Sequence, residues 1–151
     1  MSDPSEILYS TDAVRIRWFS ADQLLEFTWL SFVSGEELHE AFNRMLELSP
    51  TLGATRWLTD FTAMSAMRLA DQDWIVEHYT PRLSQQITLH RSAMVRPDHS
   101  LGAYFLNSMI ARISAARSWP LRGFGTRAAA YAWLMHPTEP SEPAPATPIS
   151  V

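Results

Sequence analysis

The side chains best suited to chemistry in this 151-residue chain gather at the end of a short apolar run, RWLTDFTAM, residues 56–64. Asp60 is followed by Thr62 and, just past the run, by Ser65. A carboxylate beside two hydroxyls is material for a metal ligand, an activated nucleophile or a phosphorylation switch. It is equally material for a turn, because Asp and Thr side chains bond readily to nearby backbone. The expected role of Asp60 is to brace the loop at the end of a buried strand, with a switch on Thr62 or Ser65 as the alternative.

A second candidate is Gly123-Phe124-Gly125-Thr126-Arg127. A glycine loop leading into a helix can cradle an anion through its backbone N–H groups, with Arg127 beside it. A turn requiring positive φ accounts for the same spacing. The histidines, His39, His78, His90, His99 and His136, show neither HxxxH nor HxH spacing, and no cysteine accompanies them. No metal and no cofactor is therefore expected. Asp71-Gln72-Asp73 lacks the later acidic residue of a calcium loop and reads as charge at the start of a helix. His99 and Ser100 are neighbours in sequence and do not face each other on a helix. No Ser-His-Asp set or carboxylate pair follows from spacing, so no catalytic residue is assigned.

These residues need elements to position them. AVRIRWF alternates apolar and polar side chains, and LLEFTWLSFV follows across SADQ; together they predict an antiparallel hairpin, with ILYS as a short edge strand before it. SGEE then offers Ser34 as N-cap and Glu37 as its capping-box partner. Leu38, Ala41, Phe42, Met45 and Leu48 continue at helical spacing until Ser49-Pro50, where the helix is expected to stop. ATRWLTDF reads as a buried strand. A second helix is predicted over 71–85, with Trp74, Ile75, His78 and Leu83 inward and a kink or early stop at Pro81. QITLHRSAMV reads as the next strand. Asp98 caps a third helix whose apolar stripe is Leu101, Tyr104, Phe105, Met109, Ile110 and Ile113. LRGF is a last short strand, and TRAAAYAWLM a last helix capped by Thr126.

Strands alternating with helices after a β-rich start predict an α/β domain with a mixed β-sheet, an N-terminal antiparallel hairpin and about four helices. The domain is expected over residues 7–135, after a flexible N-terminus at 1–6. Residues 136–151 contain five prolines and no aromatic residue, which predicts a disordered tail.

Charged residues make up 19% and hydrophobic residues 46% of the chain, enough for a proper core under a sparsely charged surface. A net charge of −4 and a pI near 5.7 argue against nucleic acid as a partner. All twelve basic side chains are arginine. No apolar run approaches the roughly 20 residues that span a bilayer, and the acidic MSDPSE start lacks the basic region of a signal peptide. A cytoplasmic protein without a membrane partner is expected.

The order of elements, with the passages LLEFTWLSFVSGEELHEAF, RWLTDFTAM, DQDWIVEHYTPRL and AYAWLM, resembles the STAS-like domains, and most closely their stand-alone SpoIIAA-like bacterial branch. Its most telling pieces are W-x-x-F/V-S-G-E-E from Trp29 to Glu37, W-L-x-D from Trp57 to Asp60, and D-x-x-W from Asp71 to Trp74. The resemblance implies a sheet with helices mainly on one face and a regulatory or interaction module with no enzymatic activity. It also implies a phosphorylation position near Asp60, although the Ser-Ser-Gly of phosphorylated members is replaced here by Phe61-Thr62-Ala63-Met64-Ser65. Six tryptophans suggest either an apolar contact surface or simply a core filled with indoles. The expected partner is a second copy or another protein, with Trp74 and Tyr79, or Tyr104 and Phe105, as the contact surface. The alternative is a carrier or sensor of a small apolar or anionic molecule, with a pocket between sheet and helices rimmed by Arg56 and Arg91.

Overall fold

The computed structural model of the chain describes residues 5–113 and 119–136. The proline-rich tail lies, past His136, outside the described residues, as do residues 1–4 of the expected flexible N-terminus.

Six strands form one sheet in the order in which they occur: β1 (Ser5–Ser10), β2 (Val14–Phe19), β3 (Leu24–Trp29), β4 (Arg56–Asp60), β5 (Arg91–Val95) and β6 (Leu121–Phe124). The first three pair antiparallel, and β3 through β6 pair parallel. The expected mixed α/β sheet with an antiparallel hairpin at its start is therefore present. ILYS extends that hairpin to a three-stranded meander, and its strand begins at Ser5. QITLHRSAMV contributes only from Arg91; His90 precedes the strand and its N–H donates to the Thr55 carbonyl.

Strand alternation sorts the side chains between two layers. Val14, Ile16 and Trp18 of β2, Leu25, Phe27 and Trp29 of β3, and Trp57 of β4 face the larger core. Phe19, Leu24, Leu58, Ala93 and Val95 face a smaller one. The larger core is closed by α1 (Gly35–Leu52), by a continuous helical run built of α2 (Leu69–Trp74), a π-turn (Ile75–Tyr79) and α3 (Thr80–Gln86), and by α4 (Ser100–Ile113). The smaller core is closed by α5 (Arg127–Met135) through Ala130 and Leu134.

Several helix details differ from expectation for local reasons. Helix α1 runs through Pro50 to Leu52. Gly53 then adopts φ 74°, and two bonds, Gly53 N–H to the Pro50 carbonyl and Ala54 N–H to the Ser49 carbonyl, close it as a Schellman motif. The terminating signal is thus the glycine, not the proline. At the other end Ser34 occupies the N-cap position, but its side chain makes no capping bond. Pro81 does not end the helical run, because the preceding turn widens. The Thr80 N–H and hydroxyl both reach the Ile75 carbonyl, five residues back, and Pro81 falls in the first turn of α3. That widening also rotates the run: Ile75 and Tyr79 are buried, whereas His78 is exposed. Thr126 caps α5 as expected, its hydroxyl oxygen accepting from the Ala129 N–H at 3.1 Å.

In α4 the buried stripe is Gly102, Leu106, Met109, Ile110 and Ile113, so Leu101 and Tyr104 of the expected stripe face outward. Gly102 sets that rotation. A Cβ there would stand 2.5 Å from the Met64 carbonyl oxygen, so only glycine lets α4 approach the β4–α2 loop. Among the described residues, no helix is long and apolar enough to cross a membrane.

Two glycine substitutions separate these effects. Gly53→Ala, with open space around its Cβ, should cost about 1 kcal/mol through left-handed backbone strain alone. Gly102→Ala should cost more, roughly 2–3 kcal/mol, by overpacking against backbone, although alanine is the better helix former. Urea unfolding of both variants, compared at equal m-values, measures the order.

Candidate functional site

In a parallel sheet the carboxyl ends of the strands are where ligands ordinarily meet loops and helix starts. At the end of β4, Asp60 Oδ1 accepts from the Thr62 backbone N–H at 2.9 Å and from the Thr62 hydroxyl at 2.5 Å. The carboxylate thus folds back on its own loop, and the Thr62 carbonyl in turn accepts from the Asp98 N–H. Ser65 is exposed in the same loop. Neither hydroxyl stands at a helix start, since α2 begins only at Leu69. A phosphate on Thr62 would be brought against the Asp60 carboxylate.

The strongest polar cluster at this end was not assigned from the sequence. Asp71 is 1% exposed. Its carboxylate accepts from the Gly35 N–H at 3.2 and 3.3 Å, and from Arg68 Nε at 3.0 Å. It therefore caps α1 from outside, in the place left open by the Ser34 side chain. His39 Nε2 stands 3.4 Å from Asp71 Oδ1, and the imidazole stacks on Trp74 at 3.9 Å with planes 10° apart. Asp71 sits in the first turn of α2, as its charge suggested, but its buried work is done on α1. The first N–H groups of any helix lack an intrahelical acceptor, so α1 needed a cap, but nothing near Gly35 in the sequence marked Asp71 as its source.

The glycine loop before α5 is committed elsewhere. Thr126 Oγ1 is the helix cap, and Arg127 turns across to Glu26, with contacts of 2.8 and 2.9 Å. Glu26 is buried, so this bidentate pair neutralises a carboxylate on the second face of the sheet. Gly123 lies in β6, and Gly125 passes beside the Arg96 guanidinium, 3.0 Å from where a Cβ would be. Around the Arg127–Glu26 pair, Arg15, Arg17, Asp22 and Tyr131 line an open polar hollow over β2 and β3, with the Tyr131 hydroxyl donating to Asp22 at 2.7 Å.

Arg56 and Arg91 do not rim a pocket between sheet and helices. Arg56 Nε donates to the Leu134 carbonyl and Nη1 to the Asp22 carbonyl, while Arg91 Nη1 donates to the Trp133 carbonyl and its guanidinium covers the Trp133 ring at 4.6 Å. Both bind the carboxyl end of α5, where cations complement the helix dipole. Trp133 is half-buried there.

Of the aromatic residues expected at a contact surface, Tyr79 is not available to a partner. It is buried, its hydroxyl donates to the Phe42 carbonyl at 2.8 Å, and burial pushes its phenol well above the ordinary value of 10.0. Trp74 is half-buried between His39 and Tyr79. Tyr104 is 67% exposed and Phe105 half-buried. Trp18, Trp29, Trp57 and Trp119 are core residues, so the indoles mostly fill the interior; Trp57 Nε1 donates to Ser49 Oγ there.

A cavity of about 70 Å³ remains between the sheet and the helices on the larger-core face. Met45, Met94 and Met109 supply much of its wall, with Ile75 and Thr80 from the π-turn and its exit. Among the described residues no three histidine or carboxylate side chains converge as metal ligands would. Compared with protein-family models, with characterised proteins and with solved structures, the chain finds no match in any of the three.

Two measurements probe these polar contacts. Asp71→Ala should destabilise the fold by roughly 2–3 kcal/mol, more than an ordinary N-cap loss, because a helix cap and an arginine partner go together; thermal unfolding reads the difference. For Tyr79, the folded-state pKa lies above the unfolded one, so its contribution to stability is complete below pH 10 and declines as pH rises past 10. Tyr79→Phe should lose about 1 kcal/mol at pH 7 and show a shallower loss of stability between neutral and alkaline pH.

Proposed function

We propose that this chain is a non-enzymatic, STAS-like regulatory module of the cytoplasm that acts through protein contact, and that its first partner is a second copy of itself. The observation that supports this most directly is the outer face of α4. A helix lying on one side of a sheet needs a single apolar stripe, with charged residues facing water. Helix α4 already buries its stripe, yet Leu101 and Tyr104 stand exposed on the other side, beside half-buried Phe105 and exposed Ser108 and Ala111. Its only charged side chain, Arg112, is turned aside to Asp73 at 3.1 Å and Glu77 at 3.8 Å.

An uncharged helical face carrying aromatic residues has the composition of an interface centre. It meets an identical face without like-charge repulsion, and two-fold pairing places Leu101 and Tyr104 of one protomer against the same residues of the other. Phe32 and Leu69, also exposed, occupy the loop after β3 and the first turn of α2, at the carboxyl ends of the strands. The Asp60–Thr62 turn and the α1 start held by Asp71 lie at that same end. A partner seated there would sense the loops whose phosphorylation the STAS-like resemblance implies.

Light scattering should give twice the 17.1 kDa chain mass. Leu101→Arg combined with Tyr104→Arg should return the mass of one chain with an unchanged circular dichroism spectrum. A wild-type protein that stays monomeric throughout the micromolar range would remove the self-association from this reading.

A further inference from the structure

The cavity under α4 has features that core packing alone does not require. Protein interiors are close-packed, and the voids they leave are usually apolar and dry. This one is mostly apolar, bounded by Phe27, Phe42, Phe61 and three methionines, but it also receives two hydroxyls from adjacent strands. Thr59 of β4 and Ser92 of β5 are 8% and 6% exposed. Strand alternation turns both toward the larger core, with Thr59 opposite Met94 and Ser92 opposite Trp57 in the β4–β5 register. Neither hydroxyl takes part in the side-chain hydrogen bonds that tie the surrounding core together. Of the neighbouring buried hydroxyls, Thr80 donates to the Ile75 carbonyl and Tyr79 to the Phe42 carbonyl. Thr59 and Ser92 both line the void, so their hydroxyls are placed to meet an occupant with one polar group.

The wall beside them is irregular in a specific way. The π-turn Ile75–Tyr79 inserts one extra residue into the helical run exactly where the run crosses the cavity, and such widenings recur at binding sites. Met45, Met94 and Met109 are unbranched and reshape at little cost. The void is about 70 Å³, roughly half the ~150 Å³ of an engineered apolar cavity that accepts benzene. No charged side chain lines it, so an ionised ligand would have to shed its hydration without compensation.

We infer that this cavity is a binding site for a compact, neutral molecule with a short apolar body and one hydroxyl or carbonyl, held by Thr59 and Ser92 and enclosed by the methionines. The site lies within one protomer, so it stands apart from the α4 outer face and from the question of pairing. Met109 and Ile113 are nonetheless the inner side of the same helix, which places an occupant directly beneath the proposed contact surface.

The test uses the full chain with ¹³C-labelled methionine methyls and three probes of similar length: 1-butanol, 1-chlorobutane and butyrate. Saturable shifts of the Met45, Met94 and Met109 methyls are expected with 1-butanol, weaker binding by roughly fivefold to tenfold with 1-chlorobutane, and none with butyrate. In the near-isosteric double variant Thr59→Val, Ser92→Ala, the affinity for 1-butanol should fall to that of the chloroalkane, while 1-chlorobutane still binds and so reports an intact cavity. Linear, unsaturating shifts with all three probes would overturn the site. Equal affinity for alcohol and chloroalkane in the wild type, or an alcohol affinity unchanged in the double variant, would overturn the role of the two hydroxyls.

Discussion

Each crossover in this sheet moves one strand further in the same direction, and that single constraint arranges the rest of the molecule. Parallel connections with one preferred hand place successive helices on the same face when the strands they join follow one another in order. Helix α1, the α2–α3 run and α4 therefore share the larger core, whereas α5, the last of the described elements, closes the opposite side. Strand β3 is the pivot. It pairs antiparallel with β2 and parallel with β4, so its alternating Leu24 and Leu25 serve the two cores at once.

The polar groups follow from this layering. On the second face of the sheet, several charged side chains are held in an ion pair or by the end of α5. Arg127 holds buried Glu26, and Arg56 and Arg91 satisfy carbonyls at the end of α5. On the crowded face the helix starts meet at the carboxyl ends of the strands, close enough for Asp71 of one run to cap the N-terminus of another. The same crowding requires glycine at position 102 and turns Leu101 and Tyr104 outward. An apolar outer face on α4 and an incompletely filled space beneath it are thus two consequences of one helix orientation.

The layering also separates three kinds of candidate site. The Thr62 hydroxyl belongs to a loop closed by Asp60, and the glycine loop before α5 belongs to a helix cap and an ion pair. Apart from these two loops stand an exposed aromatic face on α4 and two hydroxyls beside a void. On the reading proposed above both would serve recognition, since shape and a single polar contact select a partner without altering any bond.

What the sequence determined by itself is what local pattern encodes. Period-two alternation in AVRIRWF, helical spacing from Leu38 to Leu48 and Thr126 before TRAAAYAWLM are sufficient for the strands, helices and class of fold, because burial of an alternating or periodic face permits only one such element. The loop role of Asp60 was legible for the same reason, its partner being two residues away. Distant contacts decided the rest. Asp71 caps a helix whose start lies 36 residues earlier, Arg56 and Arg91 turn to α5, and Tyr79 goes inward because a wider turn absorbs Pro81. The placing of Thr59 opposite Met94 and of Ser92 opposite Trp57, beside one void, depends on the register of two strands that lie far apart in the chain, and register is a property of the assembled sheet alone.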